Sequence, residues 1–213
     1  MKKSLNMIDL NKELEMNTLN TRNNKEQENE KKETPLSDKM LKTRTLTLFD
    51  AIDTKVAKEF IQGLLILEAD NAKEPIKVLL NSPGGEVTAG FAIYDTLRFI
   101  QPEVKIICTG LCASIATIIL TAVPRKNRLS TPNCEFLIHQ PLSQGITGRI
   151  SDIEIASKEL TKTKDKLLSI LARETKKTIE QITRDCDRDY WMTANHALEY
   201  GLIDKIIENR KEL

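Results

Sequence analysis

Residues 76–100, IKVLLNSPGGEVTAGFAIYDTLRFI, decide the fold class of this chain. They begin with a short, mainly apolar run at 76–80, which is typical of a buried strand in a parallel sheet. Turn-forming residues follow at 81–85, and residues 87–100 then place apolar side chains at helical spacing. The segment therefore predicts a strand, a tight turn and a helix.

The same alternation of strand and helix continues on both sides of this segment. A helix is predicted over residues 56–67, with Thr54 as its N-cap, and a helix of small residues begins at about Ala113. Further strands are predicted at residues 43–49, 104–109 and 134–139. Repeated βα units imply an α/β fold with a mostly parallel sheet and right-handed crossovers.

The last third of the chain adds a long helix. Residues 150–171 place apolar side chains at helical spacing among lysines and glutamates, which predicts one amphipathic helix. Its lysine-rich face is either solvated or part of an arm that packs against another subunit. A helix over 178–186, a helix over 193–200 with Thr193 as N-cap, and a strand over 202–207 complete the pattern.

The composition of the 213 residues is that of a globular protein. With 40% hydrophobic and 30% charged residues, fibrous, collagen-like and wholly disordered classes are excluded. The formal net charge of +1 gives no overall field for nucleic acid or an anionic membrane. Residues 1–40 carry sixteen charged residues and seven asparagines, which predicts a flexible polar tail or propeptide ahead of one domain over residues 41–213.

Cysteine spacing and hydropathy indicate the compartment. The four cysteines form no C-x-x-C pair and lie in or beside apolar runs, which favours free thiols in a reducing compartment over disulfides or a zinc site. Residues 106–123 carry no charge and reach the lower length limit of a membrane span. Gly110 and the small residues at 112–117 favour a buried strand, a turn and a buried helix instead. We expect a cytoplasmic protein without a bound metal.

The glycine pair Gly84 and Gly85 directly follows a predicted strand. Backbone N–H groups of such a turn can hold phosphate or acyl oxygens. The chain has no G-x-G-x-x-G motif and no Lys-Ser/Thr after these glycines, which argues against a nucleotide site. The alternative interpretation is a tight turn that requires positive φ.

A serine, a histidine and an aspartate could act together as nucleophile, base and orienting acid. Ser114 lies where a strand leads into a helix, so it is either an activated nucleophile or a helix cap. Of the two histidines, His139 ends a strand and is either a base or a core histidine, whereas the apolar pattern of residues 193–200 predicts that His196 points to solvent. The candidate acids are Asp185, Asp187 and Asp189, which precede the single tryptophan. The alternative is that these carboxylates are solvated at a helix end.

Five sequence blocks are specific enough to compare with known families. They are NSPGGEVTAGFAIYDTLRFI from Asn81, GLCASIA from Gly110, PNCEFLIHQPL from Pro132, DCDRDYWM from Asp185 and ALEYGLID from Ala197. Together they resemble the ClpP family, the proteolytic subunits of the ATP-dependent Clp protease. Its members are serine peptidases with a crotonase-like fold, and the resemblance extends from about residue 41 to residue 207.

The resemblance implies a role for each site residue. In the family pattern, Ser114 is the nucleophile, His139 is the base and Asp189 is the acid. The backbone N–H groups that bind the oxyanion are those of Gly84 and Ile115. Asp187 and Arg188 match a pair that contacts the opposite ring. The long helix predicted at 150–171 matches a protruding handle that interdigitates between rings.

The resemblance also implies an assembly. Members of the family stack two seven-membered rings around a closed chamber and receive unfolded polypeptides from Clp-type AAA+ ATPases. The ATPase uses the ATP, so no cofactor is expected in this chain, and neither nucleic acid nor membrane is an expected partner. The rings are either homomeric or mixed with a second ClpP paralogue.

Three departures from the family pattern indicate a divergent paralogue. The usual Met-Gly after the nucleophile is Ile115-Ala116, the tyrosine of the hydrophobic pocket for the ATPase loop is Leu79, and the polar tail replaces the axial-loop sequence. The leading prediction is an ATPase-fed serine endopeptidase subunit. The alternatives are a structural or regulatory ring subunit with weak activity of its own, and an acyl-CoA enzyme of the same superfold.

Overall fold

The computed structural model describes residues 36–142, 145 and 147–213, and its compact unit spans Met40–Leu213. Its first elements are α1 (Leu36–Lys42), β1 (Thr45–Leu48), α2 (Thr54–Asp70), β2 (Ile76–Ser82), α3 (Val87–Phe99), β3 (Val104–Ala113) and α4 (Ile115–Leu120). The later elements are β4 (Arg128–Ser130), β5 (Glu135–Ile138), α5 (Ile150–Thr175), α6 (Ile179–Asp185), β6 (Tyr190–Thr193), α7 (Ala194–Tyr200) and β7 (Lys205–Ile206). The predicted tail lies outside the described residues up to residue 35 and stays a prediction.

The sheet is mostly parallel, as the repeated βα units predict. Strands β1, β2, β3, β4 and β7 lie side by side in that order, and each neighbouring pair is parallel. Strand β5 also pairs with β3 in parallel, whereas β6 runs antiparallel to β5. The predicted α/β class is therefore confirmed.

Strand β3 branches the sheet, because its two halves pair with different strands. Residues 106–108 pair with β4, whereas residues 111–113 pair with β5. Gly110, at φ 66°, bends the backbone between the two halves. The prediction that this strand ends in a turn is therefore wrong, because the glycine bends the strand and pairing resumes as far as Ala113.

The side chain of Asn81 bridges the gap that this bend opens between β2 and β3. One residue separates the paired positions 80 and 82 of β2, whereas three residues separate their partners 108 and 112 in β3. Asn81 Oδ1 accepts a hydrogen bond from the Leu111 N–H at 3.0 Å. A β-carbon on residue 110 would lie 3.0 Å from the same oxygen, so glycine leaves room for the bridge.

Most of the uncharged segment at 106–123 is buried core, although Gly110 at the bend is exposed. Its first part belongs to β3, and every residue of α4 is buried. Helix α4 packs against α3, where Ile115 contacts Gly90. In the part of the chain that the structure describes, no helix is long and apolar enough to cross a membrane.

Helix α5 is buried along one half and exposed along the other. It continues to Thr175, beyond the predicted end at residue 171. Its C-terminal half buries the apolar side chains Leu167, Leu168, Ile170 and Leu171. Near its N-terminus, Ile150 and Ile155 are 80% and 60% exposed.

The N-cap of α2 is Asp53 and not Thr54, so this prediction is wrong by one residue. Asp53 has an extended backbone, and its Oδ1 accepts a hydrogen bond from the Val56 N–H at 2.7 Å. The Thr54 hydroxyl instead donates to Glu86 Oε2 at 3.2 Å. Thr193 is the N-cap of α7, as predicted.

A buried ion pair fastens the C-terminal end of α5 to the sheet. Arg128, in β4, is 1% exposed and donates to the carbonyls of Val123 at 2.8 Å and Thr121 at 3.2 Å. Its guanidinium also pairs with the Glu174 carboxylate. Burial raises the pKa of Glu174, but hydrogen bonds from Arg128 and Arg173 outweigh burial and lower this pKa overall.

Glu174→Gln is expected to lower the free energy of unfolding by about 3–5 kcal/mol, because it leaves the Arg128 charge buried without its counter-ion. Urea unfolding followed by circular dichroism measures the loss. The matched control is Lys126→Gln, which removes an exposed pair with Glu103 at 3.2 Å and should cost under about 1 kcal/mol. Equal losses in the two variants would contradict the role of the buried pair.

The same carboxylate predicts a pH dependence of stability. The pKa of Glu174 is lower in the folded protein than its ordinary value of 4.5, so the unfolded chain binds the proton more readily. Its stabilisation is complete above about pH 4.5 and is lost as the pH falls through the lowered pKa. We expect the difference in unfolding free energy between wild type and Glu174→Gln to shrink in that acidic window. A difference that stays constant there would show that the lowered pKa is wrong.

Candidate active site

Ser114 occupies a strained turn between β3 and α4. Its φ of 56° and ψ of −125° lie outside the regions that non-glycine residues normally adopt. Its N–H donates to the Leu137 carbonyl at 2.8 Å, and its carbonyl accepts from the Thr117 N–H at 3.0 Å. Ser114 occupies the N-cap position of α4, but its hydroxyl accepts no hydrogen bond from the N–H groups of this helix, all of whose residues are described, so its side chain does not act as a helix cap.

Strands β5 and β6 bring His139 to Asp189. In their antiparallel ladder Ile138 pairs with Tyr190, so residues 139 and 189 are neighbours where the ladder ends. His139 Nδ1 lies 2.9 Å from Asp189 Oδ1, and His139 Nε2 lies 2.8 Å from Ser114 Oγ. One imidazole therefore joins a hydroxyl and a carboxylate at hydrogen-bonding distance.

The three candidate carboxylates have separate partners. Asp185 Oδ2 accepts a hydrogen bond from the Tyr200 hydroxyl at 2.7 Å, and Asp187 Oδ2 lies 4.0 Å from Arg188 Nε. Asp189 contacts His139, whose side chain is 15% exposed, and is itself 61% exposed. The structure therefore separates the aspartates that the sequence pattern left as equal candidates.

Two hydrogen bonds from Gln140 hold the loop that carries Asp189. The Gln140 N–H donates to the Cys186 carbonyl at 2.7 Å, and Gln140 Nε2 donates to the Asp187 carbonyl at 3.0 Å. Because Gln140 directly follows His139, these bonds fix the loop relative to the imidazole. The position of Gln140 beside the strand-end histidine was the available sequence signal for this role.

Two backbone N–H groups lie beside Ser114. Gly84, at φ 92°, approaches so closely that a β-carbon there would lie 2.7 Å from Ser114 Cβ and 3.3 Å from the Ile115 nitrogen. Ile115 is the first residue of α4, a position where a helix offers no internal acceptor for the N–H. The Gly84 N–H donates to Ser82 Oγ at 3.1 Å. Gly84 thus forms a tight turn with positive φ directly against the serine.

Comparison with known proteins identifies the family. A family model described as Clp protease matches residues 27–210. The chain belongs to the Clp protease family. This confirms the resemblance of the five sequence blocks, and the α/β architecture with its mostly parallel sheet agrees with the Clp protease fold. Membership makes the chain a peptidase of the Clp protease type and implies assembly into rings that work with Clp ATPases in general.

The departure at Ile115 from the Clp protease family pattern is accommodated by packing. The Ile115 side chain is 2% exposed and lies against Gly90 of α3. A β-carbon on residue 90 would come within 2.1 Å of Ile115 Cγ1, so this glycine provides the space that the branched side chain fills. Helix α4 still begins at Ile115.

Leu79, the second departure from the Clp protease family pattern, lines an apolar cavity of about 420 Å³. The side chains of Ile107 and Ile207 line the same cavity. An apolar pocket therefore exists at this position although the tyrosine of the family is absent.

His196 is half-buried between two tyrosines, so the prediction that it points to solvent is wrong. The centre of its ring lies 5.6 Å from that of Tyr190 and 6.2 Å from that of Tyr200. His196 Nε2 lies 3.3 Å from the Tyr190 hydroxyl. Periodicity within α7 placed His196 off the apolar face, but Tyr190 lies before the helix and covers it.

The cysteines of the described residues are buried free thiols. All four cysteines are free and buried: Cys108, Cys112, Cys134 and Cys186. Burial raises the pKa of the Cys186 thiol to about 12, which keeps it a neutral, unreactive group. Among residues 36–142, 145 and 147–213, no group of three or more His, Cys, Asp and Glu side chains could hold a metal ion.

Gly84→Ala is expected to slow the reaction of Ser114 with a fluorophosphonate probe by at least about 100-fold. The added methyl group would lie 2.8 Å from the Ala113 carbonyl oxygen and displace the serine. Mass spectrometry of the labelled protein measures the rate. The matched control is Gly63→Ala, whose methyl group meets the flexible end of the Leu46 side chain and should leave the rate unchanged. A wild-type rate in Gly84→Ala would rule out the close contact at Ser114.

Proposed function

We propose that this chain is the serine endopeptidase subunit of a barrel-shaped protease that degrades unfolded proteins to short peptides. Two contacts of His139 carry the proposal: Nε2 at 2.8 Å from Ser114 Oγ and Nδ1 at 2.9 Å from Asp189 Oδ1. A nucleophile, a base and an orienting acid require these contacts in this order. Membership in the Clp protease family supports peptide bonds as the substrate.

The mechanism follows from these positions. His139 takes the proton of Ser114 as its Oγ attacks the peptide carbonyl, and Asp189 holds the imidazole and balances the charge that forms on it. The Gly84 and Ile115 N–H groups are the proposed donors to the oxyanion, each worth on the order of 3 kcal/mol of barrier. His139 then protonates the leaving amine, and water activated by the same base releases the acyl group.

The proposed assembly is two stacked seven-membered rings, homomeric or mixed with a second paralogue, in the cytoplasm. The exposed Ile150 and Ile155 of α5 suit a handle that packs against the opposite ring. Asp187 and Arg188 have side chains that are 66% and 91% exposed, which suits a contact with another subunit. A Clp-type AAA+ ATPase delivers unfolded polypeptides and uses the ATP, so this chain needs no cofactor.

The second candidate is a structural or regulatory ring subunit with weak activity of its own. The Gly84 N–H already donates to Ser82 Oγ, so an oxyanion would have to compete for this donor. Ile115-Ala116 also replaces the Met-Gly pair of the family. Either feature would weaken the oxyanion site without changing the rings. The connected serine, histidine and aspartate argue against the third candidate, an acyl-CoA enzyme.

The test is labelling with a fluorophosphonate probe, alone and with any co-purifying ring partner, with the modified residue mapped by mass spectrometry. We expect the probe on Ser114, no labelling of Ser114→Ala, and labelling of His139→Ala that is slower by at least about 1,000-fold. Ser157→Ala, which removes an exposed serine of α5, is the control and should label at the wild-type rate.

The outcomes separate the three candidates. Labelling of Ser114 by the chain alone supports an independent endopeptidase, and labelling only with the partner means that the second ring aligns the site. Absence of labelling in both states would favour the structural subunit, as would unchanged peptide turnover by a mixed particle that contains Ser114→Ala. Calorimetry that detects no acyl-CoA binding removes the third candidate.

A further inference from the structure

Tyr190, His196 and Tyr200 form an aromatic cluster that the proposed mechanism does not use. The ring centre of Tyr190 lies 5.6 Å from that of His196 and 5.7 Å from that of Tyr200. The Tyr190 hydroxyl lies 3.3 Å from His196 Nε2. Lys177 Nζ lies 4.3 Å from the centre of the Tyr200 ring and covers the cluster from the outside.

The cluster connects both ends of the loop that carries the proposed catalytic acid. Residues 186–189 lie between Asp185, the last residue of α6, and Tyr190, the first residue of β6. The Tyr200 hydroxyl donates to Asp185 Oδ2 at 2.7 Å, so it holds one end. The contact between Tyr190 and His196 holds the other end. Helix α7 supplies one side chain for each contact, His196 and Tyr200, which lie one turn apart on one face of the helix.

The acid itself has little support of its own. The Asp189 side chain is 61% exposed and contacts His139 at 2.9 Å. The position of Asp189 therefore depends on the two ends of its loop and on the Gln140 hydrogen bonds to the Cys186 and Asp187 carbonyls. Ile138 pairs with Tyr190 in the ladder, so a shift of Tyr190 would move Asp189 relative to His139.

Both tyrosine hydroxyls are suited to this task. Burial, together with the neighbouring Asp185 carboxylate, raises the pKa of Tyr190 and that of Tyr200. A raised pKa keeps both hydroxyls protonated at neutral pH, so both can donate hydrogen bonds. The bond from Tyr200 to Asp185 is the stronger of the two, because its acceptor is charged.

We propose that Tyr190 and His196 are positioning residues for Asp189. Their contact fixes the β6 end of the acid's loop, and the bond from Tyr200 to Asp185 fixes the α6 end. When the Tyr190 contact is lost, Asp189 is held less well against His139 Nδ1, and transfer of the Ser114 proton slows. The inference rests on the proposed function, because it concerns the acid of the proposed triad.

The first variant is Tyr190→Phe, which keeps the aromatic ring and removes the hydroxyl. We expect the second-order rate constant for fluorophosphonate labelling of Ser114 to fall roughly five-fold, the effect of losing one neutral hydrogen bond. In peptide hydrolysis, kcat should fall and KM should stay unchanged. The matched control is Tyr94→Phe, which removes a buried hydroxyl that accepts from Arg173 Nη2 at 3.0 Å, and it should label at the wild-type rate.

A second pair of variants tests the partner side chain. His196→Gln keeps a polar atom for the Tyr190 hydroxyl, whereas His196→Leu removes it. We expect His196→Leu to label as slowly as Tyr190→Phe, and His196→Gln to recover part of the rate. Equal rates in the two His196 variants would mean that the hydrogen bond does not matter and would overturn the proposal.

The decisive arm repeats Tyr190→Phe in an Asp189→Asn background, with the probe concentration raised until labelling is measurable. A residue that acts through the carboxylate has little effect once the carboxylate is gone, so the five-fold loss should shrink to less than about two-fold. The same loss in both backgrounds would mean that the hydroxyl merely stabilises the fold. If the wild-type chain is never labelled, both the proposed function and this role are wrong. If wild type and Tyr190→Phe are labelled at the same rate, only the positioning role is wrong.

Discussion

The bend of β3 at Gly110 is the constraint on which both the sheet and the site depend. Before the bend β3 pairs with β4, and after it β3 pairs with β5, so one strand belongs to two branches of the sheet. Ala113 pairs with Leu137 in the second branch. Ser114 follows the end of β3, and His139 follows the end of β5. A strand that ended at Gly110 would leave these two side chains unconnected.

Backbone pairing, and not sequence proximity, assembles the site. His139 is 25 positions from Ser114 and 50 positions from Asp189. Parallel pairing delivers the serine and the histidine to the same edge, because both strands end there. Antiparallel pairing of β6 delivers the aspartate, because the residue before β6 must meet the residue after β5. The ladder brings the backbones of the two strand ends together, whereas the position of the Asp189 side chain also depends on a loop that Gln140 holds.

Local patterns predicted most elements because each strand and helix carries its own periodicity, as residues 76–100 do. They could not predict the bend at Gly110, because a glycine after a strand signals a turn and a bend equally well. A bend forms here because the side-chain oxygen of Asn81, on the neighbouring strand β2, accepts the hydrogen bond from the Leu111 N–H. His196 was misplaced for a similar reason, since Tyr190 covers it from outside its helix. The choice among three aspartates also required the register of β5 and β6.

The buried pair of Arg128 and Glu174 determines how α5 leaves the domain. Apolar packing alone tolerates small rotations of a helix, because dispersion contacts have little directional preference. The Arg128 guanidinium is different, since it is fixed by the carbonyls of Thr121 and Val123 and presents its remaining donors in one plane. Glu174 meets that plane, so the ion pair restricts the last turn of α5 more than apolar packing does. A buried ion pair adds little net stability over apolar side chains of equal volume. Its contribution here is the direction of a helix whose far end exposes Ile150 and Ile155.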